Sequence, residues 1–225
     1  VVFQAGCFME GNLHAQNREE RKVKDRFTGV EVSSGVDLVV EQGQNTEIVV
    51  EASSDHIDDV KTQVRNGVLK VDMSSGVMNW FKNRSATVYV TMPVVEKLSA
   101  SGGADLKSNG TIHSEDIEVY SSGGADVEIE IQATRAVLNS SGGADIVARG
   151  ETEHLEASAS GGSDIKARKL NAKFVTASSS GGADVEVYAS EEMRASASGG
   201  ADVNCYGPGQ MMEKSTSGGG DVTRR

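Results

Sequence analysis

A short motif that returns at a nearly constant interval constrains the fold of this chain more than any other feature. The motif is Ser-Gly-Gly-x-Asp followed by an aliphatic residue. Successive copies begin about 18 to 21 residues apart, which suits one coil of a β-solenoid and is too short for a propeller blade or a helical hairpin repeat. Its seven aspartates are Asp105, Asp126, Asp145, Asp164, Asp184, Asp202 and Asp221, and a degenerate copy stands at residues 33–38.

The pattern inside each repeat is typical of β-strands, because apolar or small residues fall at every second position. One copy places Leu155, Ala157, Ala159, Gly161, Ser163 and Ile165 on a single face. The Gly-Gly pair suits a corner, since glycine adopts backbone angles that other residues avoid. A single coil cannot bury its own apolar face, so coils should stack in parallel about 4.8 Å apart, with a right-handed crossover.

The sequence therefore predicts an all-β fold, a right-handed parallel β-helix with coils of about 19–20 residues. A β-sandwich of many short strands is the alternative, and the even spacing of near-identical motifs favours the solenoid.

Residues 23–98 are less regular than the repeats. We expect strands at 30–40, 46–52, 60–64, 68–71 and 87–92, a short helical turn at 55–59 and a hairpin turn at residues 65–67 (Arg-Asn-Gly). We interpret residues 23–98 as irregular N-terminal coils and a cap, and residues 99–225 as regular coils. Both parts would belong to one β-helical domain, 23–225.

The first residues suggest export. Apolar residues followed by Ala-Gly-Cys resemble the end of a bacterial lipoprotein signal, in which Cys7 would carry a lipid anchor to the membrane. A second interpretation is cleavage after Ala15, and a third is an ordinary N-terminal strand. Under the first two, residues 1–22 are a leader remnant and tether, and the protein reaches the cell envelope, meaning the periplasm, outer membrane or cell surface.

The charge of the chain excludes some classes of partner. The formal net charge is −11 and the isoelectric point about 4.9. Binding to nucleic acid needs clustered lysines and arginines, and docking on anionic lipid needs a basic surface. An acidic surface keeps a protein soluble and can attract divalent cations.

If the aliphatic positions point inward, the aspartates and the serines four residues before them point to solvent. Stacking would align them in ladders, with a bare glycine groove between. The candidate binding face comprises Ser101, Asp105, Ser122, Asp126, Ser141, Asp145, Ser160, Asp164, Ser180, Asp184, Ser198, Asp202, Ser217 and Asp221. Such a face suits an extended partner, a glycan or an envelope or host protein.

A ladder of aspartates is electrostatically unfavourable. Two unit charges about 4.8 Å apart repel by about 1 kcal/mol in water and by about 3–4 kcal/mol at an effective dielectric constant of 20. We expect hydrogen bonds from serine hydroxyls and turn amides to offset this repulsion. A row of calcium ions is the alternative, although the motif is shorter than the calcium-binding nonapeptide and has twice its period. No other metal or cofactor is expected.

Nothing in the sequence indicates catalysis. The histidines stand in unrelated contexts without a nucleophile at a recognisable spacing, and the repeat itself accounts for the prominent aspartates. The four histidines are His14, His56, His113 and His154.

Two further features lie outside the repeat pattern. Trp80 and Phe81 form a candidate contact loop or an apolar cap over one end of the solenoid. Cys205 is predicted to be a buried, small apolar residue.

Four features of the sequence form a joint pattern: residues 27–38 (Phe-Thr-Gly-Val-Glu-Val-Ser-Ser-Gly-Val-Asp-Leu), Gln42-Gly43, residues 66–71 (Asn-Gly-Val-Leu-Lys-Val) and the Ser-Gly-Gly-Ala/Ser-Asp series. In this pattern the chain resembles the head GIN domain family of bacterial auto-transporter adhesins, which is common in Bacteroidetes envelopes. The resemblance covers about residues 23–225. It implies a β-helical fold and a secreted or lipid-anchored protein, and it carries no catalytic residues.

Three functions remain open. The first is a non-enzymatic envelope protein, an adhesin whose solenoid face binds glycan or protein. The second is a polysaccharide hydrolase or lyase, which a cleft with one non-repeating acid pair would favour. The third is a structural spacer that forms homo-oligomers, which exposed edge coils would favour.

Overall fold

The computed structural model of the protein describes residues 16–53, 55–74 and 86–225. Strands make up nearly all of it, and they join in one sixteen-stranded sheet that coils into a solenoid of about seven turns. The N-terminal strands are β1 (Gln16–Glu20), β2 (Gly29–Val32), β3 (Asp37–Gln42), β4 (Glu47–Ser53), β5 (Val60–Arg65), β6 (Val68–Met73), β7 (Ala86–Met92) and β8 (Lys97–Ser101). The others are β9 (Asp105–Ser122), β10 (Asp126–Gly142), β11 (Asp145–Gly161), β12 (Asp164–Gly181), β13 (Asp184–Gly199), β14 (Asp202–Tyr206), β15 (Gln210–Gly218) and β16 (Asp221–Arg224). A 3-10 helix spans Ile57–Asp59.

The regular coils pair in parallel, motif against motif. Asp126 of β10 lies opposite Asp105 of β9 on one side and opposite Asp145 of β11 on the other. The same register continues through β12, β13, β14 and β16. The predicted parallel β-solenoid with one motif per coil is therefore confirmed, and the alternative β-sandwich is not the fold.

The alternating pattern builds the core as the sequence predicts, except at the corner, where Gly161 was expected on the inward face and is exposed. Leu155, Ala157, Ser163 and Ile165 are buried, while Asp164 between two of them faces solvent. Near the corner the core column contains serine as well as alanine, and the buried Ser140 hydroxyl donates to the Ala144 carbonyl oxygen at 2.7 Å. The Ala144 carbonyl oxygen also accepts from the Asp164 amide of the next coil, so the buried hydroxyl finds its partner at a corner carbonyl that already belongs to the ladder.

The first glycine of each motif has a left-handed φ, and from Gly142 onward the stacking of the coils also leaves little room for a side chain there. Gly181 has φ +82°, and a Cβ on it would lie 2.9 Å from the carbonyl oxygen of Gly161 in the preceding coil. Any side chain here would push two coils apart. The corner thus fixes both the backbone conformation and the close approach of neighbouring coils.

The N-terminal part departs from the sequence prediction at two places. The strand expected at residues 30–40 divides into β2 and β3, because Ser34 and Gly35 adopt φ of +63° and +69° and form the same corner as the later Gly-Gly pairs. Residues 16–20, assigned to a tether, instead form β1, antiparallel to β4. Its polar residues show no alternation because both faces of this edge strand are largely exposed.

The other N-terminal predictions agree with the structure. Strands β4 to β7 and the short helical turn lie where they are expected. The hairpin between β5 and β6 turns at Asn66 and Gly67, both with positive φ. The exact limits of the single domain stay a prediction, although every one of these strands hydrogen-bonds into the same sheet.

A lysine covers the C-terminal end of the core. Lys214 of β15 lies opposite the buried Ala195 of β13, so it occupies a core position of the last coil. Its Nζ donates to the Val222 carbonyl oxygen at 2.5 Å. An inward-facing charge on an edge strand opposes pairing with another chain.

Candidate functional site

The register brings the predicted serines and aspartates into columns. Each serine four residues before an aspartate lies opposite its counterpart in the next coil, from Ser101 to Ser217. Asp37 extends the aspartate column at its N-terminal end, since Leu38 pairs with Leu106. All these side chains are at least partly exposed, so the corner does not reverse the inward and outward alternation. Their role in binding stays a prediction.

The repulsion between aspartates is relieved only partly as the sequence predicts. Backbone amides at the corner do donate to column aspartates, as in the bond from Asp164 N–H to Asp145 Oδ1 at 3.3 Å. No serine of the motifs donates to a column aspartate within the described ranges, because two exposed glycines separate the outward serine from the aspartate and the inward serines turn to corner carbonyls. Instead Lys166 bridges two coils, with its Nζ 2.9 Å from Asp145 Oδ2 and 3.3 Å from Asp164 Oδ2. The hydrogen bond to Asp145 is the main cause of the raised pKa of Lys166.

At the N-terminal end of the column, an Asp105 backbone hydrogen bond and the charge of Lys107 favour the ionised form of Asp37, but two larger effects oppose them. Burial raises the pKa of Asp37, and the neighbouring Asp105 carboxylate raises it further. The charged form of Asp37 is therefore disfavoured in the folded protein. In the residues that the structure describes, no group of three or more His, Cys, Asp or Glu side chains is arranged to hold a metal ion.

The serine columns border a shallow concave surface of about 350 Å³ beside the corner. Tyr120 and Asn139 replace serine at its N-terminal end, and the Ser158 and Ser178 hydroxyls hydrogen-bond each other at 2.9 Å. We call this the serine surface. It offers hydroxyl groups at the spacing of the coils, with few charged groups.

A larger depression, the polar groove, crosses five coils on another side of the solenoid. It has a volume of about 780 Å³, and His113, Gln132, Glu151 and Asn171 form one in-register column along it. Carboxylates, amides and hydroxyls from β9 to β13 line the rest. With coils about 4.8 Å apart, the column spans about 14 Å, the length of a short oligosaccharide.

An aromatic pair borders this groove. His154 of β11 stacks on Phe174 of β12, with ring centres 5.0 Å apart and planes inclined by 19°. Both rings line a smaller adjoining hollow of about 230 Å³ that also includes Arg135, Glu156 and Arg194. A partly exposed aromatic face beside amides and carboxylates can pack against the apolar face of a sugar ring while polar groups bind its hydroxyls.

The groove does not have the electrostatics of a general acid site. Glu153 is the carboxylate most clearly perturbed there, and its pKa is lowered by the hydrogen bond from Lys173, at 2.7 Å. A general acid needs a carboxyl whose pKa is raised. Glu153 is therefore not suited to act as a general acid.

Sequence reasoning missed the groove because its residues lie outside the motif. The column from His113 to Asn171 shares no residue type, and only the coil register brings it together.

The other residues that the sequence singled out lie elsewhere. Trp80, Phe81 and Cys7 lie outside the described residues, as does the alternative cleavage point after Ala15. Cys205 is fully buried, as predicted, and its pKa rises to about 11 through burial. In the part of the chain that the structure describes, no helix is long and apolar enough to cross a membrane.

Comparison with known proteins gives the same fold. Residues 26–209 match the family described as "putative auto-transporter adhesin, head GIN domain". A "putative adhesin" from Bacteroides fragilis NCTC 9343 is 20% identical, with a TM-score of 0.85, and the match covers 94% of this chain and 97% of that one. No curated protein matches.

Two structures from Parabacteroides are also similar. A "putative lipid binding protein" from P. distasonis ATCC 8503 is 17% identical, with a TM-score of 0.74 and coverage of 96% of this chain and 98% of that one. A "putative adhesin" from P. merdae ATCC 43184 is 16% identical, with a TM-score of 0.71 and the same coverage. At these identities the likeness shows the fold alone.

The fold and its surfaces define the class as a parallel β-solenoid with open, polar surfaces. Because the family match spans most of the sequence, the chain belongs to the head GIN domain family.

Proposed function

We propose that this protein is a non-enzymatic, exported adhesin of the cell envelope that binds a glycan in the polar groove. The groove itself carries the proposal: amides, hydroxyls and carboxylates from successive coils stand in register beside the His154–Phe174 pair. Sugar hydroxyls need such paired donors and acceptors, and an extended oligosaccharide matches the length of the column. The family membership supports an adhesive role and a location outside the cytoplasm.

The open shape of the groove suits attachment to a polymer rather than catalysis. Enzymes that hydrolyse glycosides position two carboxyl groups around one bond in a site that excludes water. Here Glu153 is held as an ion by Lys173, and the groove is open along its length.

A glycan array probed with labelled protein tests this function. Gln132→Ala with Phe174→Ala removes one amide and one aromatic face, and we expect the signal for bound glycans to fall at least tenfold. Gln63→Ala, on the exposed edge of β5, is the matched control and should retain binding. Equal signals from both variants, or no glycan bound by the wild-type protein, would refute the proposal.

The serine surface is a second candidate for the contact. It is supported by its regular hydroxyl columns and its concave shape. Ser160→Ala combined with Ser180→Ala should leave array binding unchanged if the polar groove is the site. A selective loss in this variant would move the site to the serine surface and leave the glycan-binding function in place.

A further inference from the structure

The C-terminal coils carry a compact cluster of cations on a chain whose net charge is −11. Arg168, Lys169 and Arg225 line an open pocket of about 700 Å³ together with Tyr188 and Tyr206. No carboxylate of the described chain forms an ion pair with any of these three cations. Unpaired cations gathered in one place on an acidic protein indicate an anionic ligand.

The chain departs from its repeat to build this pocket. Between Ala167 and Asn171 the register of β12 shifts against β13, and the extra residues place Arg168 and Lys169 at the corner while Leu170 stays in the core. Two coils later, Gly207 begins the turn after β14 with φ +97°, and a Cβ there would meet the Ala189 carbonyl oxygen first and would lie 3.0 Å from Cε2 of the Tyr188 ring. The turn thus leaves room only for glycine against the preceding coil.

The Tyr206 ring holds the arginine in position. Tyr188 and Tyr206 are in register on adjacent strands, and the Arg168 guanidinium carbon lies 4.2 Å from the centre of the Tyr206 ring. A guanidinium stacked on a ring keeps its N–H groups free at the edge, where they can donate in parallel to a carboxylate or sulfate. Less rotamer freedom is then lost when the anion binds.

The pocket adjoins the polar groove. Asn171 lines both of them, so a chain of sugars lying in the groove would reach the cations at its C-terminal end. The cations stay at this one end instead of following the solenoid axis, which fits one or two anionic groups and not a polyanion such as nucleic acid. Resting on the proposed glycan-binding function, we infer that the ligand is an acidic saccharide whose carboxylate or sulfate group is bound by Arg168, Lys169 and Arg225.

Isothermal titration at low and physiological salt tests this inference with defined probes. They are a tetrasaccharide with a terminal uronic acid, the same tetrasaccharide with a terminal 6-sulfate, its neutral form, and inorganic sulfate. We expect the two acidic forms to bind at least tenfold more tightly than the neutral form, with a preference that decreases as salt increases. The ratio between the uronic acid and sulfate forms identifies which anionic group the pocket prefers.

Two variants locate the effect. Arg168→Gln should remove the acidic preference and leave the affinity for the neutral tetrasaccharide unchanged. Arg65→Gln, at the exposed hairpin between β5 and β6, changes the net charge equally and should retain the preference. Thermal unfolding of Arg168→Gln within about 2 °C of wild type confirms that its fold is intact.

The outcomes separate this inference from the proposed function. Binding of the neutral and acidic forms with equal affinity overturns the acidic-ligand inference alone. The same conclusion follows if Arg65→Gln loses the preference as Arg168→Gln does, or if inorganic sulfate binds as tightly as the sulfated tetrasaccharide. Failure of every saccharide to bind overturns the proposed function as well.

Discussion

Three glycine-to-alanine substitutions separate the two requirements of the corner, which are a left-handed backbone conformation and the close approach of neighbouring coils. Gly181 has φ +82°, and an added Cβ would lie 2.9 Å from the carbonyl oxygen and 3.2 Å from the amide nitrogen of Gly161. Gly124 has φ +86° but no atom within 4 Å of such a Cβ, and Gly143 has neither a left-handed φ nor a close neighbour. The three sites therefore combine strain with a clash, strain alone, and neither.

The expected free energies follow from these differences. A left-handed alanine costs about 1–2 kcal/mol, and forcing apart two packed coils costs a further 1–3 kcal/mol or so. Gly181→Ala should lower the free energy of unfolding by about 2–5 kcal/mol. Gly124→Ala should lower it by about 1–2 kcal/mol, and Gly143→Ala should leave it unchanged or raise it by up to about 1 kcal/mol.

Urea unfolding followed by circular dichroism gives all three values under one set of conditions. Because each coil contacts only its neighbours, the substituted coils could unfold first, so transitions should also be compared by a second probe, tyrosine fluorescence. A loss for Gly124→Ala as large as that for Gly181→Ala would refute the role of the stacked carbonyl. A loss above about 1 kcal/mol for Gly143→Ala would refute the assignment of the strain in that motif to Gly142.

Four further results are expected. Asp37→Asn should stabilise the protein at pH 7 by less than about 1 kcal/mol, because burial and Asp105 disfavour the charged form of Asp37. The gain in stability should shrink as the pH falls and Asp37 becomes protonated. A constant gain across a pH series of unfolding curves would contradict this. With Cys7→Ser as background, Cys205 should react with a thiol reagent at pH 8 only after denaturation, since burial raises its pKa to about 11; rapid labelling of the folded protein would contradict its burial. Lys214→Val should increase the weight-average mass in sedimentation equilibrium by exposing an apolar coil end, and an unchanged mass would show that the lysine does not limit self-association. Calcium or EDTA should shift the thermal midpoint by less than about 1 °C, and a larger upward shift with calcium would establish a cation ladder.

Much of the solenoid could be predicted because the motif repeats the same physical requirement in every coil. The alternation around Leu155 and the paired glycines determine which side chains are buried and where the chain turns, and the spacing then determines the register. The outward direction of the serine and aspartate side chains follows directly from this alternation. The N-terminal hairpin could be predicted as well, because Asn-Gly supplies both left-handed residues of its turn.

The polar groove and the cationic pocket of Arg168, Lys169 and Arg225 could not be predicted in the same way. Gln132 and Asn171 look unremarkable in the sequence, and they share a groove only because of the coil register. The cationic pocket depends on a local register shift in β12, which changes the spacing of the motifs by a single residue. Strand β1 was missed because an edge strand with two exposed faces has no hydrophobic period.

The most direct test of glycan binding in the polar groove is the change in backbone amide chemical shifts when an array-selected oligosaccharide is titrated into ¹⁵N-labelled protein. If the glycan binds in the polar groove, we expect the perturbed amides to cluster at residues 113–115, 132–134, 151–153 and 171–173. For an acidic saccharide, we expect the perturbations to extend to residues 168 and 169. Perturbations confined to the serine columns, or scattered over the solenoid without a cluster, would contradict it.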